Sequence, residues 1–224
     1  SDATKIRLST ATWDGNWNWN DGTLLNTLPN SFTKVVINAP YDTSVGGLQT
    51  SFSACSLVVN STFNLAIQNN DYIEIQNDIV ANGNITVQTQ GSVVQINDLA
   101  TVTGTGVMTV QKLTTTLTDA YNYTYWSSPV AGETVENVFS TVSPTRRFTF
   151  NAANFVDTLI ENNNSNTFVS GQDDIDDNGD DWQIASGTML PGVGYAATPS
   201  LLGPAFPVSQ QFPFVGPFNN GVFT

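Results

Sequence analysis

Histidine is absent from this chain of 224 residues, and cysteine occurs once. A Ser-His-Asp triad, a Cys-His dyad and a histidine-ligated zinc site are therefore impossible within it. A single cysteine closes no internal disulfide, so the chain is not a small disulfide-stapled scaffold. Cys55 lies in the run Ala54-Cys55-Ser56-Leu57-Val58-Val59. It reads as a small buried hydrophobe rather than a nucleophile, with no basic cluster nearby to lower its pKa. Charge is sparse and one-sided: six basic residues stand against nineteen acidic ones, for a net charge of −13. That field disfavours nucleic acid and anionic lipid as partners, and leaves metals and neutral glycans open. No run approaches the roughly 18 apolar residues of a membrane helix, so no membrane insertion is expected. A signal peptide is not recognisable at Ser1-Asp2-Ala3-Thr4.

What is abundant is β-forming sequence. Short runs of Thr, Val, Ile, Phe and Tyr are broken by Asn, Gly, Asp and Ser, the pattern of many brief strands. Helical periodicity is weak, with Glu133–Ser140 and Ala152–Glu161 as the best candidates. Cutting residues 57–96 into twenties gives LVVNSTFNLAIQNNDYIEIQ and NDIVANGNITVQTQGSVVQI. Stacking them sets Asn64 over Asn84, Leu65 over Ile85, Ile67 over Val87, Gln68 over Gln88, and Ile73 over Val93. Brief strands with Asn/Gly/Asp corners suit the rungs of a parallel β-helix; a β-sandwich gives similar strand spacing, and the solenoid is the favoured reading. Val35-Val36-Ile37 and Leu48 add an imperfect first rung, and Gly106–Lys112 reads as a closing strand. Trp13, Trp17 and Trp19, alternating with polar residues, suit either a cap on the solenoid end or a platform on which sugar rings stack.

The fold class is thus all-β: a short N-terminal parallel β-helix over residues 1–115, followed by a second, β-sandwich-like domain over 116–224. The second region carries the aromatic run Tyr121-Asn-Tyr-Thr-Tyr-Trp126 and most of the prolines, which favour edges and turns. Trp126 and the tyrosines before it are expected to fill a core layer or a domain junction.

Three constellations bear on chemistry. Asp174, Asp176 and Asn178, followed by Gly179, match the D-x-[DN]-x-[DN]-G opening of a calcium loop; Asp180 is a further candidate ligand. Ala185 stands where the twelfth-position glutamate belongs and Trp182 where the ninth ligand does, so any bound calcium would be weak and structural, and a solvated acidic turn is the plain alternative. Glutamates are few (Glu74, Glu133, Glu136 and Glu161), and no pair suggests glycoside hydrolysis. Glu74, between Ile73 and Ile75, should point outward from its strand. The basic doublet Arg146-Arg147 is expected to pair with surface acids rather than with phosphate. No catalytic residue is assigned, and the chain reads as a non-enzyme.

Several runs kept in order resemble large surface proteins of Bacteroidota, especially flavobacteria. They are Tyr125-Trp-Ser-Ser-Pro-Val130 (YWSSPV), Asp181-Trp182, Gly187-Thr-Met-Leu-Pro-Gly-Val-Gly-Tyr195 and Phe214-Val-Gly-Pro-Phe-Asn-Asn-Gly221. The opening Thr12-Trp13…Trp17 is similar to their N-terminal portions. The resemblance implies export by the type 9 secretion translocon, an extracellular or outer-surface location, and a place within a longer protein. Asp157-Thr158-Leu159 is similar to the D-[ST]-aliphatic O-glycosylation sequon of that lineage, with Thr158 as acceptor. The expected role is a structural or adhesin-like module that contacts glycans or other surface proteins. The alternative is a carbohydrate-binding accessory region of a secreted polysaccharide-degrading protein.

Overall fold

The structure, a computed structural model, describes residues 9–151, 182–200, 202–203 and 205–223. These fall into two compact units. One runs up to Leu113 and takes in Pro129–Glu133 and the segment from Gln211 on; the other comprises Thr114–Ser128 and Thr134–Gln210. Almost everything regular is β, and no described helix is long and apolar enough to cross a membrane.

The first unit is a β-solenoid of about five turns. Its turns lay strands on three sheets. One sheet stacks β1 (Thr10–Trp13), β3 (Lys34–Ile37), β6 (Ser56–Val59), β9 (Ile79–Ala81) and β12 (Val102–Thr103), each parallel to the next. A second stacks β4 (Tyr41–Asp42), β7 (Asn64–Ile67), β10 (Asn84–Val87) and β13 (Met108–Leu113). The third stacks β5 (Phe52–Ala54), β8 (Tyr72–Ile75) and β11 (Ser92–Gln95).

Alternation decides which side chains enter the core. In β7, Leu65 and Ile67 are buried while Asn64 is exposed; in β8, Ile73 and Ile75 are buried and Glu74 lies on the outer side. Turn after turn, these inward aliphatics stack on their equivalents. Each such side chain contributes on the order of 1.5–3 kcal/mol by leaving water. At the corners, amides bond one turn apart: Asn84 Nδ2 donates to Asn64 Oδ1 at 3.2 Å, and Asn97 Nδ2 to Asn77 Oδ1 at 3.1 Å. Asn60 Nδ2 donates likewise to Asn38 Oδ1.

The register expected for residues 64–73 over 84–93 is the register found. It does not extend to the first sheet, where Leu57 pairs with Ile79 rather than with Asn77. The reason lies in the corners. Four residues, 60–63, join β6 to β7, whereas Asn82-Gly83 alone join β9 to β10. Cys55 also departs from expectation. It forms a one-residue corner between β5 and β6 and is half-buried, because Ala54 and Leu57 take the inward positions; its Sγ accepts from Asn77 Nδ2 at 3.4 Å.

A stack of parallel strands ends in open edges, which invite pairing with other chains. Here two edges carry antiparallel strands. β2 (Trp17–Trp19) folds back on β1, and β18 (Gln211–Val215) lies on β13, with Pro213 opposite Gln111. Pro213 donates no ladder hydrogen bond, a defect tolerated in a terminal strand.

The second unit carries, among its described residues, one antiparallel sheet in the order β14 (Thr124–Trp126), β17 (Tyr195–Ala197), β15 (Arg147–Phe150), β16 (Trp182–Ile184). The helix expected near 133–140 is the single turn α1 (Val135–Val138), N-capped by the Thr134 hydroxyl, which accepts from Asn137 N; 152–161 lies outside the described residues. One sheet face is covered: Trp126, Tyr195 and Ala197 are buried, as are Val135, Val138, Phe139, Val142 and Met189 in the same unit.

Candidate binding groove

Two of the three tryptophans at the chain start, Trp13 and Trp17, are buried at the first turn of the solenoid. Trp13 and Trp17 are 6% and 1% exposed and pack edge-on at 5.3 Å. Tyr41 and Phe52 complete the cluster, with Trp13–Tyr41 at 5.0 Å and Trp17–Phe52 at 5.5 Å. The indole N–H of Trp13 donates to Pro40 O at 3.0 Å and that of Trp17 to Leu48 O at 2.7 Å. Burial and satisfied polar tips are what a buried aromatic layer requires. A sugar platform needs exposed ring faces, which Trp13 and Trp17 do not offer.

Such faces occur instead on the second unit. Period-two alternation sends Trp126 to the covered side of the sheet and Tyr125 to the other. The tyrosines therefore do not join Trp126 in a core layer, as the sequence reading expected. Tyr125 pairs with Ala196, Ala196 with Phe148, and Phe148 with Ile184, so these four form one row across the open face. Phe150 opposite Trp182 lies in the next row. A groove of about 310 Å³ opens there, lined by Tyr123, Tyr125, Phe148, Trp182 and Ala196.

Its geometry follows from the strands. Ala196, buried beneath its neighbours, is small enough to form a floor. Tyr125 stands on one side, 6.1 Å from Trp182. Phe150 backs Trp182 at 5.1 Å, and Phe148 backs Tyr123 at 5.9 Å. Tyr125, Tyr123 and Trp182 remain 70%, 44% and 42% exposed. Residues of this size left in solvent on one face are unusual enough to mark a contact site. The lining holds no Asp, Glu, Lys or Arg side chain.

The other expected residues separate from this groove. Arg146 donates to Ala120 O at 2.9 Å with its guanidinium 4.5 Å from the Tyr121 ring, and Arg147 donates to Val142 O. Both arginines thus bond backbone carbonyls rather than serving as free anion sites. Glu136 accepts from Gly187 N at 2.9 Å, and Glu133, buried, accepts from Val215 N at 2.6 Å. The calcium candidates Asp174, Asp176, Asn178 and Asp180, and the glycosylation candidate Thr158, lie outside the described residues. Among the described residues no group of three metal-ligating side chains converges.

The glycine- and asparagine-bearing runs near the end of the sequence have local structural roles. Gly192, at φ +75°, turns the chain into β17, and Leu190 N donates to the Tyr195 hydroxyl at 2.8 Å. In Asn219-Asn220-Gly221, Asn220 Nδ2 donates to Asn97 O and Ala100 O at 2.9 and 2.8 Å. These bonds clamp the segment after β18 onto a solenoid corner.

The architecture defines the class: a capped β-solenoid with an antiparallel β unit inserted before its closing strand. The chain belongs to the family described as a domain of unknown function, DUF8693, whose model matches residues 8–224. No curated protein and no solved structure matches it.

Proposed function

We propose that this chain is a non-catalytic binding module displayed on, or released from, the cell surface after export by a type 9 secretion system. The observation that carries the reading is the aromatic face of the second unit, where Tyr123, Tyr125 and Trp182 stand in solvent while the solenoid core seals its own aliphatics away. The composition supports it: without histidine the commonest nucleophile-activating base is missing, and an acidic surface of net charge −13 favours solubility outside the cell.

Location is tested on intact cells of the producing bacterium. The reading expects antibody labelling and removal by added protease, both lost in a translocon-deficient strain. Retention of the protein inside such cells with an intact translocon overturns it. Two sequence-borne features belong to the same reading: calcium held around Asp174, Asp176, Asn178 and Asp180, and a glycan on Thr158. Thermal unfolding with millimolar calcium, against magnesium, tests the first through the rise in midpoint that binding to the folded state produces. Intact-mass measurement of the secreted protein tests the second.

The alternative, an accessory region that holds a polysaccharide for a degrading enzyme, draws on the same face and differs in what the longer protein does with the bound chain.

A further inference from the structure

We infer that the groove over Ala196 binds a neutral glycan chain, its sugar rings stacking on Tyr125 and Trp182. The inference rests on the binding-module reading above and adds the ligand class and the residues that hold it.

Four observations point to that chemistry. The walls are amphipathic rings rather than aliphatic side chains, and Tyr123, Tyr125 and Trp182 each carry an O–H or N–H at the edge of a partly exposed ring. A sugar presents both an apolar C–H face and hydroxyls, and so matches ring face and polar tip together. Second, the groove carries no charge and the chain is strongly acidic, which sets uronate, sulfate and phosphate polymers at a disadvantage. The guanidinium of Arg146 is not among the lining groups and is engaged by Ala120 O and the Tyr121 ring. Third, about 310 Å³ and five lining residues suit a small ligand segment. A protein partner ordinarily takes roughly 20–30 residues a side. Fourth, the walls are braced before any ligand arrives, by Phe150 behind Trp182 and Phe148 behind Tyr123, so little ordering is left to oppose binding.

The test uses the whole purified chain, titrated with cellohexaose, mannohexaose and laminarihexaose by calorimetry and tryptophan fluorescence. Sulfated dextran and a hydrophobic dye serve as contrasts. The expected result is saturable binding of at least one neutral oligosaccharide, insensitive to salt. Tyr125→Ala and Trp182→Ala should each weaken it by about three- to tenfold, and Ala196→Leu should abolish it by filling the floor. Tyr125→Phe, which keeps the ring, should retain most of the affinity and guards against loss through misfolding. Absence of binding to all three sugars, binding untouched by the two alanine variants, or preference for sulfated dextran overturns the inference. If the groove variants abolish dye binding or attachment of cells while no sugar binds, the binding module stands and the glycan falls.

Discussion

The indole N–H of Trp17 and the hydroxyl of Tyr41 converge on one acceptor, the carbonyl of Leu48, at 2.7 and 3.4 Å. The single Tyr41 hydroxyl proton is shared with the nearer Thr50 O at 2.7 Å, and the phenol oxygen accepts from Thr50 N at 2.9 Å. One phenol thus ties the solenoid's aromatic cap to the 48–50 loop. Burial pushes its pKa well above the ordinary tyrosine value, against smaller lowering contributions from the Thr50 backbone and Trp17. The folded state therefore holds this proton more tightly than the unfolded chain. Its stabilising contribution is complete below about pH 10 and lost as pH rises beyond it, by up to about 1.4 kcal/mol per pH unit. Tyr41→Phe should cost about 1–2 kcal/mol at neutral pH by stranding Thr50 N. It should also flatten the alkaline decline relative to wild type. Urea unfolding of both proteins at pH 7, 10 and 11 reads both effects; parallel alkaline declines would refute the assignment.

Glycine at the corner between β9 and β10 is required by the neighbouring turn. A Cβ on Gly83 would run into the carbonyls of Asn60 and Phe63, and one on Gly106 into the carbonyl of Gly83. Gly83→Ala should destabilise the protein by about 2–3 kcal/mol. Gly194→Ala, with no atom within 4 Å, should stay within about 0.5 kcal/mol. Equal midpoints for the two variants would contradict the close stacking of these corners.

Asn220 should contribute through its two carbonyl contacts. Replacing it with alanine is expected to cost about 1–2 kcal/mol. The loss should appear as faster amide exchange in residues 97–100, measured by mass spectrometry, with the β7–β10 core unchanged. Uniform acceleration across the solenoid would mean that the clamp is not local.

Cys55 should behave as a corner residue rather than a core one. Cys55→Ser is expected to stay within about 1 kcal/mol of wild type, since it leaves Ala54 and Leu57 in place and offers Asn77 another acceptor. A loss above 2 kcal/mol in chemical unfolding would show that the thiol is packed more deeply than its position indicates.

How much of this was legible follows from where the information sits. Asn64 over Asn84 and Ile73 over Val93 could be read off because like residues stack on like, and burial alternates along each strand. The first-sheet pairing of Leu57 with Ile79 could not, because the β6–β7 corner is two residues longer than the β9–β10 corner and a fixed period does not register the difference. The partnership of β13 with β18 was hidden for a different reason: nothing near Lys112 names Phe212 as its neighbour a hundred or so residues away. The groove did have a signal. Tyr121, Tyr123 and Tyr125 share one parity and Trp126 has the other, so all four could not face the same core. Ala196 and Phe148 gave none, since only pairing across β17 and β15 brings them beside Tyr125.

The pairing of β13 with β18 also sets an order of events. Successive solenoid turns form from near neighbours in sequence and can add one after another. The last seam is different: Val110 must meet Phe214, and the loop between them is the whole inserted unit. Closing so long a loop carries the largest entropic cost in the fold and belongs late in folding. Until then β13 offers an open edge. A chain emerging from the ribosome with its N-terminus leading would form a nearly finished stack with one unsealed rim, closed only once β18 had been made.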